Sequence, residues 1–229
     1  MANEGPGALR FIQAALSQTT DFKSVMFFAI LDRATTDGSL ELLRAYTLNE
    51  PRLRVVWAPE NRGVVDAYIR GYREALDAGA DWILEIDAGF SHDPAEMPKF
   101  WQAMRSGPDC VFGTRFSKGG RVVDSSWKRT LVSRGGSLLS RLLLGARLTD
   151  MTSGFELFTR DALLMVLNRG IQSRAHFFQT EIKTYCRNLQ IEEVPITYRA
   201  ASPRLDRSAL TDAFSQLWRL YKMRRSGML

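Results

Sequence analysis

The feature that constrains this chain most is a short apolar run that ends in an acid and leads directly into a helix start. Residues 82–86 have the length and composition of a strand buried in a parallel sheet, and Asp87 follows them. Asp93, Pro94 and Glu96 then resemble a capping box. Ligands of open α/β sheets bind beyond the carboxyl ends of the strands, so Asp87 is the first candidate for chemistry. The alternative is that Asp87 is only a turn or capping carboxylate.

Apolar runs alternate with amphipathic segments through the first half of the chain. This alternation predicts an α/β fold with a mostly parallel central sheet flanked by helices. The second half departs from the alternation, and its last helix is expected to bury Leu210, Phe214, Leu217 and Leu220. The predicted strands are 25–31, 53–57, 82–86, 110–113 and 191–198, and the predicted helices are 7–18, 36–49, 61–78, 94–106, 138–144, 179–189 and 208–225.

The chain is basic, with 31 Lys and Arg residues against 25 Asp and Glu and a formal charge of +6. This charge favours an anionic partner such as a nucleotide, a phospholipid surface or a nucleic acid. The basic residues are not interleaved with stacking aromatics, so no nucleic-acid partner is expected. The sequence has no P-loop motif, and its two histidines argue against a histidine-centred hydrolase. Cys110 and Cys186 lack metal-ligand spacing and suit a reducing compartment.

A series of short motifs runs along the chain in a fixed order. They are Asp32, Asp37-Gly38-Ser39, Asn61-Arg62-Gly63, Asp87-Ala88-Gly89, Gly113-Thr114-Arg115, Trp127-Lys128-Arg129, Ser133-Arg134-Gly135, residues 150–155, Phe178-Gln179-Thr180-Glu181 and residues 194–198. In this order they resemble glycosyltransferase family 2, in its polyprenyl-phosphate (dolichyl-phosphate mannosyltransferase-like) branch. The resemblance covers about residues 3–200 and implies a GT-A-like nucleotide-sugar-binding fold in a single domain. Residues 1–113 would form its donor-binding half and residues 114–229 its acceptor-binding half.

The resemblance implies an inverting enzyme that moves mannose from GDP-mannose to a polyprenyl or dolichyl phosphate at the cytoplasmic membrane face. A UDP-sugar such as UDP-glucose is the alternative donor, and a catalytically impaired nucleotide-sugar-binding protein is the alternative function. A polyprenyl phosphate is already anionic, so it needs no general base but does need cations to hold it in line. The basic segment 114–134 supplies such cations, unless it is only a solvated loop.

The site residues implied by the resemblance fall into four groups. Asp87, Arg115 and Arg129 are expected to be catalytic. The donor would contact Asn3, Glu4, Asp32, Asn61, Gly63 and Asp87, and the acceptor phosphate would contact Arg115, Arg129 and Ser133. Arg199, or alternatively Arg204, is expected to replace a Ser-Lys pair of the family as a further contact with the acceptor phosphate. Mg²⁺ or Mn²⁺ would be held by Asp87 and Ser91 with the donor diphosphate. Glu181 is expected either to touch the sugar or acceptor or to pair with a nearby arginine.

Three departures from the family pattern bear on these expectations. Gly89 replaces the second acid of the family's Asp-x-Asp, which leaves metal dependence open. Arg33 replaces the second of two acids after an earlier strand, which leaves only Asp32 for the nucleoside. Family members also begin with a strand before an Asn-Glu loop, whereas Asn3-Glu4 follows Met1-Ala2 directly. We therefore expect the sheet to lack its first strand, and the functional polypeptide to start upstream of Met1.

The end of the chain has two interpretations. Residues 218–225 combine Trp, Tyr and several cations, which suits either an ordinary amphipathic helix or one that lies on an anionic membrane surface. The longest apolar run, residues 25–31, is far shorter than the roughly 20 residues that a spanning helix needs. The sequence therefore predicts a peripheral association with the membrane.

Overall fold

The computed structural model describes residues 3–125, 127–199 and 207–229, and only the backbone of residues 128, 129, 207 and 208. The helices are α1 Pro6–Ser17, α2 Ser39–Tyr46, α3 Val64–Asp77, α4 Met97–Met104, α5 Trp127–Leu144, α6 Arg160–Arg169, α7 Phe178–Cys186 and α8 Arg207–Arg225. The strands are β1 Phe27–Leu31, β2 Leu53–Trp57, β3 Trp82–Glu85, β4 Cys110–Thr114, β5 Arg121–Val123, β6 Glu156–Thr159, β7 Ile191–Pro195 and β8 Thr197–Arg199. These elements confirm the predicted α/β class.

The strands form three sheets. The central sheet has the order β3-β6-β4-β7, in which β4 and β7 are parallel and β6 is antiparallel to both of its neighbours. A parallel pair, β1-β2, and a second parallel pair, β5-β8, lie outside it. Three of the four central strands run in one direction, which agrees with the predicted mostly parallel sheet. Strand β6 is the exception and makes two of the three pairings in this sheet antiparallel, because periodicity fixes neither the direction nor the neighbours of a strand.

The β1-β2 pair and the central sheet are separate, although the family resemblance places one continuous sheet here. Among the strands of the described residues, β1 pairs only with β2 and β3 pairs only with β6. Helix α3 packs against both β1 and β3 and so joins the two parts. It approaches β1 closely at Gly71, where a Cβ would lie 3.3 Å from Ile30 Cγ1. Within the described residues, the first element is helix α1 and no strand precedes it.

Three apolar clusters form the core. The largest packs the central sheet against α3, α6, α7 and α8 and includes Tyr72, Phe112 and Phe158. A second lies under α4, where the rings of Phe100 and Phe155 stack at 4.2 Å. A third packs α1 and α2 on β1 and β2. The large buried aromatic area makes this core rigid enough to position loops at the strand ends.

Several local expectations need correction. Leu210 and Phe214 are exposed, and only Leu217 and Leu220 of the predicted face of α8 are buried. Helix α5 begins eleven residues earlier than the predicted start at Leu138. Asp93 does cap the next turn, accepting from the Ala95 N–H at 2.9 Å. Glu96 instead accepts from the Thr197 N–H at 3.1 Å, so the two acids do not form a capping box.

Candidate active site

A cavity lies at the carboxyl ends of β1 and β2. Its volume is about 500 Å³, within the range of about 300–1,000 Å³ typical of small-molecule sites. The loops after the two strands line it, because parallel neighbours end at the same edge of a sheet. The lining residues are Asp32, Arg33, Ala34, Asn61, Arg62 and Gly63. Three predicted donor contacts, Asp32, Asn61 and Gly63, therefore border one cavity.

The loop of residues 3–5 is fastened to the segment that follows β1. The Asn3 side chain donates to the Ala34 carbonyl and accepts from the Thr36 N–H, both at 2.8 Å. The Gly5 N–H donates to Asp37 Oδ2 at 2.6 Å. These contacts fix the backbone on both sides of Glu4.

Glu4 lies against the glycine that replaces the second acid of the family motif. A Cβ placed on Gly89 would lie 2.8 Å from Glu4 Oε2, so the glutamate fills the space that a side chain at position 89 would take. Burial raises the pKa of Glu4, and the negative charges of Asp37 and Asp87 raise it further. A second carboxylate thus stands beside Asp87, supplied by a distant part of the chain.

Asp87 is held in place by Tyr68 on α3. The Tyr68 hydroxyl donates to Asp87 Oδ1, and burial with nearby carboxylates raises the pKa of this phenol, which keeps it a donor. The Asp87 side chain remains 39% exposed. A carboxylate that is oriented through one oxygen and still partly exposed can meet a cation or a hydroxyl.

His92 supports the Asp87 loop as a neutral ring. Its Nδ1 accepts from the Asp87 N–H at 3.4 Å, and burial lowers the pKa of the imidazole. The ring packs between Phe155 and Tyr198, each with its ring centroid 5.2 Å away. A neutral, buried imidazole contributes packing and an acceptor rather than a positive charge.

Replacement of Tyr68 by phenylalanine is expected to lower kcat/KM about 10- to 100-fold. Its hydrogen bond goes to a charged acceptor, and such bonds contribute about 1.5–3 kcal/mol. Tyr72, one turn later on α3, provides the control, because its buried hydroxyl has no hydrogen-bond partner among the described residues. Steady-state kinetics of Tyr68→Phe and Tyr72→Phe should therefore differ, and equal activities would show that Tyr68 does not orient the acid.

Arg115 forms a buried ion pair. Its Nε and Nη2 donate to the two oxygens of Asp150 at 2.7 and 2.9 Å, and Nη2 also reaches Thr152 Oγ1 at 2.5 Å. Burial would raise the pKa of Asp150, but the hydrogen bonds and charge of Arg115 lower it to about 2. These donors were predicted to hold phosphate, and the structure commits them to Asp150.

Strand β8 connects the loop that carries Asp87 with the basic residues Arg115 and Arg199. The Arg199 N–H donates to the Ser91 carbonyl at 2.9 Å, and the guanidinium of Arg115 lies 5.3 Å from the ring centre of Tyr198. The Arg199 guanidinium is exposed, 3.8 Å from Asp124 Oδ2. This arrangement brings an exposed cation to the edge of the loop that carries Asp87.

Two other predicted acceptor contacts lie on α5. Ser133 is half-buried in its first half, and the backbone of Arg129 lies one turn earlier, while the Arg129 side chain lies outside the described residues. Within the described part of the chain, no group of three or more His, Cys, Asp or Glu side chains is arranged to hold a metal ion. Arg204, the alternative to Arg199, also lies outside the described residues. The roles given to Arg129, Ser133 and Ser91 stay predictions.

Residues 1–165 match the sequence profile of the family described as glycosyl transferase family 2. The chain belongs to that family. It is 33% identical over 171 residues to an undecaprenyl-phosphate mannosyltransferase of Micrococcus luteus, covering 74% of this chain and 70% of the relative. It is 30% identical over 172 residues to a polyprenol monophosphomannose synthase of Mycolicibacterium smegmatis. That match covers 74% of this chain and 65% of the relative, which is less than two thirds of the relative's length.

Solved structures confirm the GT-A-like fold. A glucosyl-3-phosphoglycerate synthase from Mycobacterium tuberculosis, in complex with Mn²⁺, UDP and phosphoglyceric acid, superimposes with a TM-score of 0.67 at 18% identity. The match covers all of this chain and 77% of the other. A complex of that enzyme with Mg²⁺ and UDP gives a TM-score of 0.64 at 19% identity. Likeness at this level of identity concerns the fold alone.

In this family 2 protein, Glu85, two residues before Asp87, belongs to a buried cluster of polar side chains that the sequence motifs did not identify. Gln179 Nε2 donates to Glu85 Oε1 at 2.6 Å, and Lys183 pairs with Glu156 on the adjacent strand β6. Burial raises the pKa of Glu156 to about 7 and also raises that of Glu85. The sequence feature that could have indicated this cluster is Glu85, an acidic residue inside an otherwise apolar strand.

Glu181 belongs to a separate structural network. It is fully buried and accepts hydrogen bonds from the Ser173 N–H at 2.8 Å and the Tyr185 hydroxyl at 2.7 Å. It also pairs with Arg219 of α8. Of the two expectations for this residue, the structure supports the arginine pair and gives no direct contact with Asp87 or the cavity.

Proposed function

We propose that this family 2 glycosyltransferase transfers mannose from GDP-mannose to a polyprenyl phosphate, with inversion at the anomeric carbon. The observation that carries the proposal is the similarity to two proteins named as polyprenyl-phosphate mannose transferases, at 30% and 33% identity over 74% of the chain. The site is consistent with this chemistry, because β8 is hydrogen-bonded to the loop that carries Asp87 and brings the exposed cation of Arg199 to its edge.

The donor side is assigned to the cavity and the two carboxylates. The nucleoside would occupy the space bordered by Asp32, Asn61 and Gly63, with the diphosphate directed towards Asp87. Asp87 and Glu4 would hold a divalent cation, which offsets diphosphate charge when bound. Glu4 beside Gly89 fits this role, because it returns the carboxylate that the sequence motif lacks. The structural relatives were crystallised with Mn²⁺ or Mg²⁺ and UDP.

The acceptor side is assigned to Arg129, Ser133 and Arg199. An oxygen of the lipid phosphate attacks the anomeric carbon from the face opposite the diphosphate, and the new carbon–oxygen bond forms as the bond to GDP breaks. GDP leaves with the electron pair. The phosphate is already ionised, so no side chain has to remove a proton, and positioning with charge stabilisation supplies the catalysis. Arg115 would position the turn after β4 through Asp150.

The acceptor also sets the place of action. A polyprenyl phosphate is held in a bilayer by its hydrocarbon chain, so the enzyme would work at a membrane surface. We assign it to the cytoplasmic face as a peripheral protein, where nucleotide sugars and anionic lipids meet. No helix in the described residues is long and apolar enough to cross a bilayer.

A donor comparison tests the proposal. The protein is incubated with a short polyprenyl phosphate and either GDP-mannose or UDP-glucose, and the lipid product is identified by mass spectrometry. Mannosyl-phosphoryl lipid from GDP-mannose is the expected product. Glucosyl lipid from UDP-glucose would replace the donor assignment. Tight donor binding without any product would favour a nucleotide-sugar-binding protein.

A further inference from the structure

Helix α5 exposes a row of large apolar side chains to solvent. Trp127, Leu131, Leu138 and Leu142 are 71%, 61%, 53% and 64% exposed. Their spacing of four, seven and four residues places them on one stripe of a helix with 3.6 residues per turn. We call these four residues the α5 stripe. A row of large exposed apolar side chains on one helix is unlike the scattered single exposures of an ordinary surface.

The side of α5 that faces the protein carries two buried serines, besides the buried Leu144 at its end. Ser137 and Ser140 are 3% and 4% exposed. The Ser137 hydroxyl accepts from the Met151 N–H at 2.9 Å and donates to Asp150 Oδ1 at 3.4 Å. Rotation of the helix to bury the stripe would break these contacts to the Arg115–Asp150 pair. The stripe is therefore kept outward by the same network that organises the basic side of the site.

Cations border the stripe. Arg134 and Arg141 are exposed and lie seven residues apart along one flank of it. At the far end, Arg224 of α8 donates to the carbonyls of Leu142 and Leu143 at 3.1 and 2.8 Å. The last turn of α8 also carries Lys222 and Arg225. An apolar row with cations along its edge is the pattern of a helix that lies in a lipid interface.

We propose that the α5 stripe docks on an anionic lipid bilayer. The choice of a bilayer rests on the proposed function, since the acceptor phosphate is carried by a membrane lipid and Ser133 lies on the same helix. Charge supports it over a second copy of the chain. A symmetric pair through this stripe would bring Arg134 and Arg141 close to the same cations of the partner, whereas anionic headgroups would neutralise them.

The test measures vesicle binding without donor or acceptor. Co-sedimentation is compared for the unmodified protein, Leu131→Glu/Leu142→Glu and the control Leu48→Glu, on vesicles of phosphatidylcholine with or without phosphatidylglycerol. Leu48 is 88% exposed and lies just after α2, outside the stripe. The double variant is expected to lose binding to anionic vesicles at least about tenfold, because two apolar contacts become charged, and Leu48→Glu should bind like the unmodified protein.

A second variant tests the contribution of the bordering cations while leaving the apolar side chains of the stripe unchanged. Arg134→Gln/Arg141→Gln keeps the stripe and should weaken binding to anionic vesicles by about fivefold for each charge removed, with no change on neutral vesicles. Equal binding of all variants would overturn the proposal. So would an unmodified protein that dimerises through the stripe in analytical ultracentrifugation but binds no vesicle. Mannose transfer to a short, water-soluble polyprenyl phosphate would persist in that case, which separates this failure from failure of the proposed function.

Discussion

Replacement of Asp87 by asparagine is expected to lower kcat/KM for sugar transfer by about 10²- to 10³-fold, the usual loss when one preorganised electrostatic group is removed from a site. Asp87 has one oxygen oriented by Tyr68 and an exposed side chain beside Glu4. Asparagine keeps the shape but loses the charge that would attract a divalent cation. Kinetics with saturating acceptor, together with thermal unfolding to check the fold, measure the effect.

The control for this variant is Asp93→Asn on the same loop. Asp93 caps the turn that follows, and asparagine caps as well as aspartate does, so activity and stability should stay unchanged. Mn²⁺ binding, followed by electron paramagnetic resonance, gives an independent readout. Both Asp87→Asn and Glu4→Gln should weaken it, whereas full activity in a folded Asp87→Asn variant would remove Asp87 from the active site.

Replacement of Asp150 by asparagine is expected to lower the free energy of unfolding by about 3–5 kcal/mol. This is the usual cost of removing one partner from a buried ion pair, because the Arg115 charge would stay buried without its counter-ion. Asp150 is fully buried and accepts three hydrogen bonds from Arg115, one from its backbone N–H. Urea unfolding at neutral pH measures the change.

The double variant Arg115→Met/Asp150→Asn serves as the control, since it removes both charges. It should recover part of the lost stability, and additive losses would show that the pair does not interact. The pH dependence follows from the same contact. The pKa of Asp150 falls from 3.8 to about 2 on folding, so its contribution is present above about pH 4 and is lost as the pH falls towards 2. The free energy of unfolding of Asp150→Asn should therefore lack the fall that Asp150 causes between about pH 4 and pH 2.

Local periodicity predicted the first half of the fold well. Strand β2 has the predicted bounds, and the acids and amides after the early strands meet at one edge because parallel strands end there. On α5 and α8 the apolar repeat extends beyond the core: Leu144, Leu217 and Leu220 are buried, whereas Leu138, Leu142 and Phe214 are exposed. The middle of α5 is held inward by the hydrogen bonds of Ser137, so no apolar repeat marked the start of the helix at Trp127.

The sequence motifs predicted only part of the candidate site. Asp32, Asn61 and Asp87 follow strands and could be found from sequence alone. The partners that give these residues their properties lie far away in the chain: Tyr68 for Asp87, Asp150 for Arg115, and Glu4 for the space beside Gly89. Such contacts depend on how helices and strands are placed against one another, which short-range pattern does not encode.

The central claim is that the phosphate of a membrane lipid is the nucleophile and needs no protein base. The most direct test supplies GDP-mannose together with either a polyprenyl phosphate or the corresponding polyprenol. It measures the amount of GDP released and the amount of lipid-linked mannose formed. We expect one GDP for each mannosyl-phosphoryl lipid and no transfer to the alcohol, because an alcohol would have to lose a proton that no side chain here is proposed to accept. Transfer to the polyprenol at a similar rate, or GDP release that is independent of the lipid phosphate, would contradict the account.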